Sequence, residues 1–237
     1  VIELQLETLA RCGINSVTVM LGFGADKVEA FLAQRRSEGL EVRTLYNPFV
    51  ATTDNLITCW LARSEMTEDF VLLNGDTIFE PLVLRRLLTA RPAPIALAID
   101  RKDEYADDDM KVTLGAGTQL EAVAKTIPRE RIDGESIGLI AFRDQGVELF
   151  RNSLDVAIRD PAALHRWYLS VIDAMARTST VDSVLIKGLW WMEIDSPADL
   201  AEARANLARR AARHAPASAT SPTLPAAAAR TLTHQEH

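Results

Sequence analysis

The run Phe70-Val71-Leu72-Leu73, followed at once by Asn74-Gly75-Asp76, constrains the fold more than any other stretch of the chain. Consecutive apolar residues between Glu68-Asp69 and a polar turn fit a strand buried on both faces, the habit of a parallel α/β sheet. The run ends in a carboxylate. Ligands of open α/β sheets gather just beyond the carboxyl ends of the strands, so Asp76 stands where it can meet a metal ion or a substrate.

The flanking sequence alternates helix and strand. Leu4, Leu6, Leu9 and Ile14, with polar residues between, fit an amphipathic helix that ends at Cys12-Gly13, where glycine supplies a left-handed cap. Residues 16–21 are β-branched and strand-like, 25–37 read as a helix, and 41–46 as another strand. This alternation predicts βαβ units around a parallel sheet. Thr52-Thr53-Asp54-Asn55 offers capping side chains ahead of a helix over 56–66, Pro81 opens a helix over 82–89, and 95–99 is a further buried strand. From Asp107 the texture changes. Short strand-like pieces at 110–114 and 136–142, separated by Gly115-Ala116-Gly117 and a charged segment, predict a small antiparallel insertion over one end of the sheet. Helices over 146–158 and 162–177, strands over 181–187 and 190–194, and a helix from Pro197 to about Arg213 complete the pattern. The fold class is therefore α/β and Rossmann-like: a mostly parallel central sheet flanked by helices, with a small antiparallel insertion. Residues 214–237 are rich in Ala, Pro, Thr and Ser without periodicity and read as a disordered tail, in which His234 and His237 stand alone.

A formal net charge of -7 argues against a nucleic-acid surface, which needs clustered Lys and Arg, while leaving room for a local basic pocket. The two cysteines, Cys12 and Cys59, both fall in helix-like patterns and fit inert packing in a reducing cytoplasm. No apolar run approaches the roughly 20 residues of a spanning helix, so no membrane partner is expected. The chain starts at Val1-Ile2-Glu3 inside what reads as a helix, and is read as amino-terminally truncated.

Asp195, in Trp190-Trp191-Met192-Glu193-Ile194-Asp195-Ser196-Pro197, also ends a strand and precedes a helix. With Asp76 it would supply two carboxylates on one rim, a common way to hold Mg²⁺ together with substrate phosphates. The competing reading makes each a turn or helix-cap acid. Lys111, Lys125 and Lys187 lie on strand or loop edges, either as solvated surface lysines or, for Lys111, held by Asp107-Asp108-Asp109. No Walker or dinucleotide fingerprint is present.

Asn55, Asn74-Gly75-Asp76, Asp109-Met110-Lys111-Val112, Lys125, Gly134-Glu135-Ser136-Ile137-Gly138 and the segment from Trp191 to Leu200 occur in an order that resembles the nucleotidyltransferase superfamily that makes NDP-sugars. Within it, the phosphocholine and inositol-1-phosphate cytidylyltransferases are the nearest likeness. The resemblance implies a nucleotidyltransferase domain over residues 1–213 that joins a nucleoside triphosphate, CTP by preference, to a small phosphomonoester and releases pyrophosphate. It places Asp76 and Asp195 on Mg²⁺, Lys111 and Lys125 toward the acceptor or its phosphate, Glu135 in the acceptor pocket, and Asn55 and Gly75 near the nucleotide. A sugar 1-phosphate acceptor and a non-catalytic nucleotide-binding domain are the alternatives. Trp60, Trp167, Tyr168, Trp190 and Trp191 offer either an aromatic box for choline or ordinary core packing. The family opens with a strand, a glycine-rich loop carrying Arg and a Pro-Lys-Pro segment. None of these is in this sequence, which implies weak or no catalysis by the chain as written and an exposed sheet centre.

Overall fold

Runs that alternate every second residue and runs that repeat every third or fourth set the order of elements. The computed structural model describes residues 1–35, 39–178 and 181–214. Helix α1 (Ile2–Arg11) leads into β1 (Ser16–Leu21), α2 (Ala25–Gln34), β2 (Glu41–Tyr46) and α3 (Asn55–Leu61). Then come β3 (Phe70–Leu73), β4 (Thr77–Phe79), α4 (Pro81–Thr89), β5 (Ile95–Asp100), β6 (Lys111–Leu114) and β7 (Leu120–Ala124). The remainder is β8 (Gly134–Phe142), α5 (Gln145–Ala157), α6 (Leu169–Ala176), β9 (Val181–Leu185), β10 (Trp191–Glu193) and α7 (Pro197–His214). Gly13 closes α1 with a φ of +89° and Pro81 occupies the first turn of α4, both as the sequence predicts. Of the tail read over 214–237, His214 ends α7, and the rest, with His234 and His237, lies outside the described residues.

The main sheet is mixed, which corrects the expectation of a mostly parallel one. Its order is β7-β6-β8-β5-β9 with β3 also on β8, and only β5 and β9 run parallel within it. The reason is β8, which pairs antiparallel with β3, β5 and β6. All nine of its residues are buried, so 136–142 forms the centre of the sheet rather than part of an insertion. A strand covered on both faces reads as a continuous apolar run whichever way its neighbours point. Only β6 and β7 remain as the antiparallel edge. β8 serves two partners along one edge, β6 through Gly134 and Glu135 and β3 through Leu139 to Phe142, and Gly138 at φ +68° sits at the corner between them.

Side chains alternate across this sheet. Ile95, Leu97, Ile99, Ile140 and Phe142 join the core under α5 and α6, where Phe142 stacks between Phe70 and Phe150 at 4.6 and 4.4 Å. The opposite face offers Ala96, Ala98, Ile137, Leu139 and Ala141 to Val83, Leu84 and Leu87 of α4 and to Leu9 of α1. The small residues there let α4 approach closely, and each fully buried Leu or Val contributes about 2 kcal/mol.

Two parallel strands, β1 and β2, form a separate ladder. Among the described residues β1 pairs only with β2, and β3 only with β8. Phe70 to Leu73 are consequently only half-buried, not covered on both faces as their composition predicts. Two predicted helices are shorter than their patterns: 56–66 becomes α3 and a 3₁₀ turn, and 162–177 breaks into a 3₁₀ turn (Pro161–His165) and α6, with Trp167-Tyr168 between them. No helix among the described residues is long and apolar enough to cross a membrane.

Candidate active site

The turn after β3 and the end of β10 are brought together by a short antiparallel ladder that sequence reasoning missed. β4 pairs with β10, Thr77 opposite Glu193, and the Ile194 amide donates to the Asp76 carbonyl at 3.1 Å. Asp76 enters this ladder as Asp195 leaves it. Both predicted acids therefore share one rim, and the cap reading of Asp195 does not describe its carboxylate. Ser196 and Asp199 cap α7 instead: Asp199 Oδ2 accepts from the Ser196 amide at 2.7 Å and from the Asp195 amide at 3.1 Å, while Ser196 Oγ accepts from the Asp199 amide at 3.2 Å.

Like charges crowd this rim. Burial, then the Asp76 and Asp199 charges, push the exposed Asp195 carboxyl above its ordinary value. Glu193 is pushed up to about 7 by burial first and then by Asp76, Asp195, Glu135 and Asp109. Among the described residues no three His, Cys, Asp or Glu side chains converge as a metal cage.

The turn itself is held from several sides. Gln5 Nε2, reaching from α1, donates to the carbonyls of Asn74 at 2.9 Å and Thr77 at 2.8 Å. The Asn74 amide donates to the Gly138 carbonyl at 2.9 Å. Tyr168 Oη donates to Asn74 Oδ1 at 2.9 Å. Gly75 is exposed and would admit a Cβ without contact. Asn55 begins α3, and its Oδ1 accepts from the Tyr168 amide at 2.9 Å.

The predicted lysines have different surroundings. Lys111 is 6% exposed, and its ammonium donates to the carbonyls of Ala106 at 2.6 Å and Lys125 at 2.9 Å, with those of Asp107 and Asp109 at 3.3 Å. Backbone carbonyls, rather than the side chains of the acidic run, hold it. Lys125 instead places its Nζ 4.0 Å from the centre of the Trp167 ring. Both line a cavity of about 630 Å³ that also receives Tyr105, Asp107 and Arg129.

Glu135 is buried beside Lys102, a residue the sequence did not single out. Lys102 Nζ lies 2.7 Å from both Glu135 Oε2 and Asp109 Oδ2. Burial raises the Glu135 carboxyl from an ordinary value near 4.5 to about 7, and Asp109 adds to the rise while Lys102 opposes it. A carboxyl raised in the folded chain stabilises below its ordinary value, and that contribution is lost as pH climbs through about 7. Thermal unfolding should therefore show stability falling across this window in metal-free buffer, with a shallower fall in Glu135→Gln. An equal slope in the two proteins would refute the assignment.

The five aromatic residues weighed as a box each engage a group of this chain. Trp60 Nε1 donates to Asp155 at 2.8 Å, Trp191 Nε1 to Asp100 at 2.8 Å, and Trp190 faces Arg210. Tyr168 is buried. Both cysteines are free, and burial pushes the Cys59 thiol up to about 12.

No family model matches the chain. The CMP-5'-(3-aminopropyl)phosphonate synthase of Streptomyces rubellomurinus is 29% identical over 210 residues, which cover 82% of this chain and 32% of that protein. The chain thus spans about a third of the length of this curated relative. Among solved structures, the inositol-1-phosphate CTP transferase from T. maritima superposes with a TM-score of 0.70 at 19% identity, over 87% of this chain and 82% of the other. The CTP:phosphocholine cytidylyltransferase from Streptococcus pneumoniae gives 0.64 at 16% identity, over 87% and 84%. HddC from Yersinia pseudotuberculosis gives 0.63 at 12% identity, over 86% and 84%. The α/β architecture built above around β8 is the fold of these two solved cytidylyl- and CTP-transferring proteins.

Proposed function

We propose that the chain is a nucleotidyltransferase that moves a nucleotidyl group, CMP from CTP by preference, onto a small phosphomonoester or phosphonate. The observation that carries this reading is the meeting of Asp76 and Asp195 at one end of the β4–β10 ladder. The acceptor oxygen attacks the α-phosphorus, a new P–O bond forms there, the bond between α-phosphorus and the bridging oxygen to the β-phosphate breaks, and pyrophosphate leaves. The acceptor is already an anion, so no general base is required.

Two carboxylates that raise one another's neighbours fit Mg²⁺, which takes one or two protein carboxylates and fills its shell with water and phosphate oxygens. Bound there by Asp76 and Asp195, it would neutralise charge on the α-phosphate and the leaving group. The chain's own residues do the rest. Lys125 and Arg129 both line the cavity that would take the acceptor. Lys111 fastens the Ala106–Asp109 loop that forms another part of that cavity. Glu135 and Asp109 flank the Lys102 ammonium, and the exposed Gly75 leaves backbone open to a nucleotide. The names of the relatives, which join CTP to phosphocholine and inositol 1-phosphate and CMP to an aminopropylphosphonate, support CTP and a small acceptor. Free thiols at Cys12 and Cys59 fit a cytoplasmic setting.

The test is pyrophosphate release with each nucleoside triphosphate against phosphocholine, inositol 1-phosphate, glucose 1-phosphate and 3-aminopropylphosphonate, with Mg²⁺ present. Release with CTP and one acceptor names the reaction. Release only with glucose 1-phosphate turns the assignment to sugar activation. Silence in a folded protein that still binds CTP makes it a binding module.

A further inference from the structure

The acid-bearing turn and the Lys125 ammonium are both held by one dipeptide. Tyr168 is 2% exposed, and its hydroxyl donates to Asn74 Oδ1 at 2.9 Å, two residues ahead of Asp76. One residue earlier, the Trp167 ring carries Lys125 Nζ at 4.0 Å. The dipeptide is fixed in turn by Asn55, whose Oδ1 accepts the Tyr168 amide at 2.9 Å. It sits at the break between a 3₁₀ turn and α6, where no continuous helix dictates its geometry.

We infer that Trp167-Tyr168, anchored by Asn55, is a positioning element that fixes the turn carrying Asp76 and the Lys125 ammonium relative to each other. The hydroxyl of a buried tyrosine is costly to leave unbonded, so Tyr168 and Asn74 each require the other. Asn74 cannot turn aside freely, because its Cγ fills the space over Gly138 where a Cβ would lie 2.5 Å away. Burial, with the Cys59, Asp76 and Glu193 charges, raises the Tyr168 hydroxyl well above its ordinary value, so it remains a proton donor to Asn74 at every working pH. The Trp167 end is weaker, since a cation over an exposed ring is held mainly by the ring's electron-rich face. None of these residues is placed on the reacting atoms. That the two ends serve a single reaction rests on the function proposed above, whereas their attachment to one dipeptide does not.

The test uses readouts that need no turnover. Hydrogen exchange is followed at the Asn74 amide, bonded to Gly138, and at the Ile194 amide, bonded to Asp76. Acylation of Lys125 by an amine-reactive ester is followed by peptide mass spectrometry. Tyr168→Phe should speed exchange at Asn74 and Ile194 by about fivefold, the weight of one neutral hydrogen bond, with Lys125 acylation unchanged. Trp167→Leu should raise Lys125 acylation by about twofold and leave that exchange alone. Asn55→Ala should move both together. Exchange unaltered in Tyr168→Phe, or an Asn55→Ala protein in which only one end responds, would overturn the inference. If these patterns appear while no nucleotide is transferred, the positioning element stands and the transferase reading falls.

Discussion

On the proposed function, Asp76→Asn should lower pyrophosphate release by about a thousandfold at saturating Mg²⁺, the scale expected when a ligand to the ion that would neutralise transition-state charge is lost. The substitution keeps size and hydrogen-bonding shape, and the backbone contacts that fix residue 76 remain, since the bond from Ile194 uses its carbonyl. Thermal stability should therefore hold or rise slightly, because one member of a crowd of like charges is removed from beside Glu193 and Asp195. The measurement is turnover across a Mg²⁺ titration alongside a melting curve. Turnover equal to that of the parent protein at saturating metal would sink the assignment of Asp76. A binding module, by contrast, would keep its nucleotide affinity when both Asp76 and Asp195 are changed to Asn.

Gly138→Ala should be the most damaging small change near the site. The position has φ +68°, where a side chain costs about 1 kcal/mol or more. A Cβ there would also lie 2.5 Å from Asn74 Cγ and 2.9 Å from Asn74 Cβ, so the asparagine must be displaced. Overpacking of this kind costs about 1–3 kcal/mol. Together these lower the melting temperature by roughly 5–10 °C for a chain of this size. Activity should fall with stability, because displacing Asn74 breaks the Tyr168 contact and loosens the turn before Asp76. Gly75→Ala is the control: it is exposed with nothing within 4 Å of its Cβ position, and its melting temperature should match the parent's. A Gly138→Ala protein that melts with the parent would show that β8 does not need its corner.

How much of this was legible in the chain depended on range. Local signals placed α1, its glycine cap, the proline-opened α4 and the strand ending at Asp76, because each is written within a few consecutive residues. The direction of β8 was not legible: nine buried residues look the same beside parallel or antiparallel neighbours, and only the partners of Leu139 and Glu135 decide. β4 escaped because three residues carry no period, yet it is the strand that brings Asp195 to Asp76. Lys102 escaped for another reason. Its meaning lies in two acids, Asp109 and Glu135, that reach it from separate strands and loops. Lys111 was visible as a lysine near acids, but its backbone partners, spread from Ala106 to Lys125, were not.

The division of the strands into separate ladders carries a consequence for assembly. β1 and β3 each pair along one edge only among the described residues, and each leaves a row of amides and carbonyls that another extended segment can read. Such a segment would be recognised by its backbone more than by its side chains. Its grip would therefore depend on delivery: weak for a free peptide, and strong for the same peptide on a short tether, whose local concentration reaches roughly millimolar.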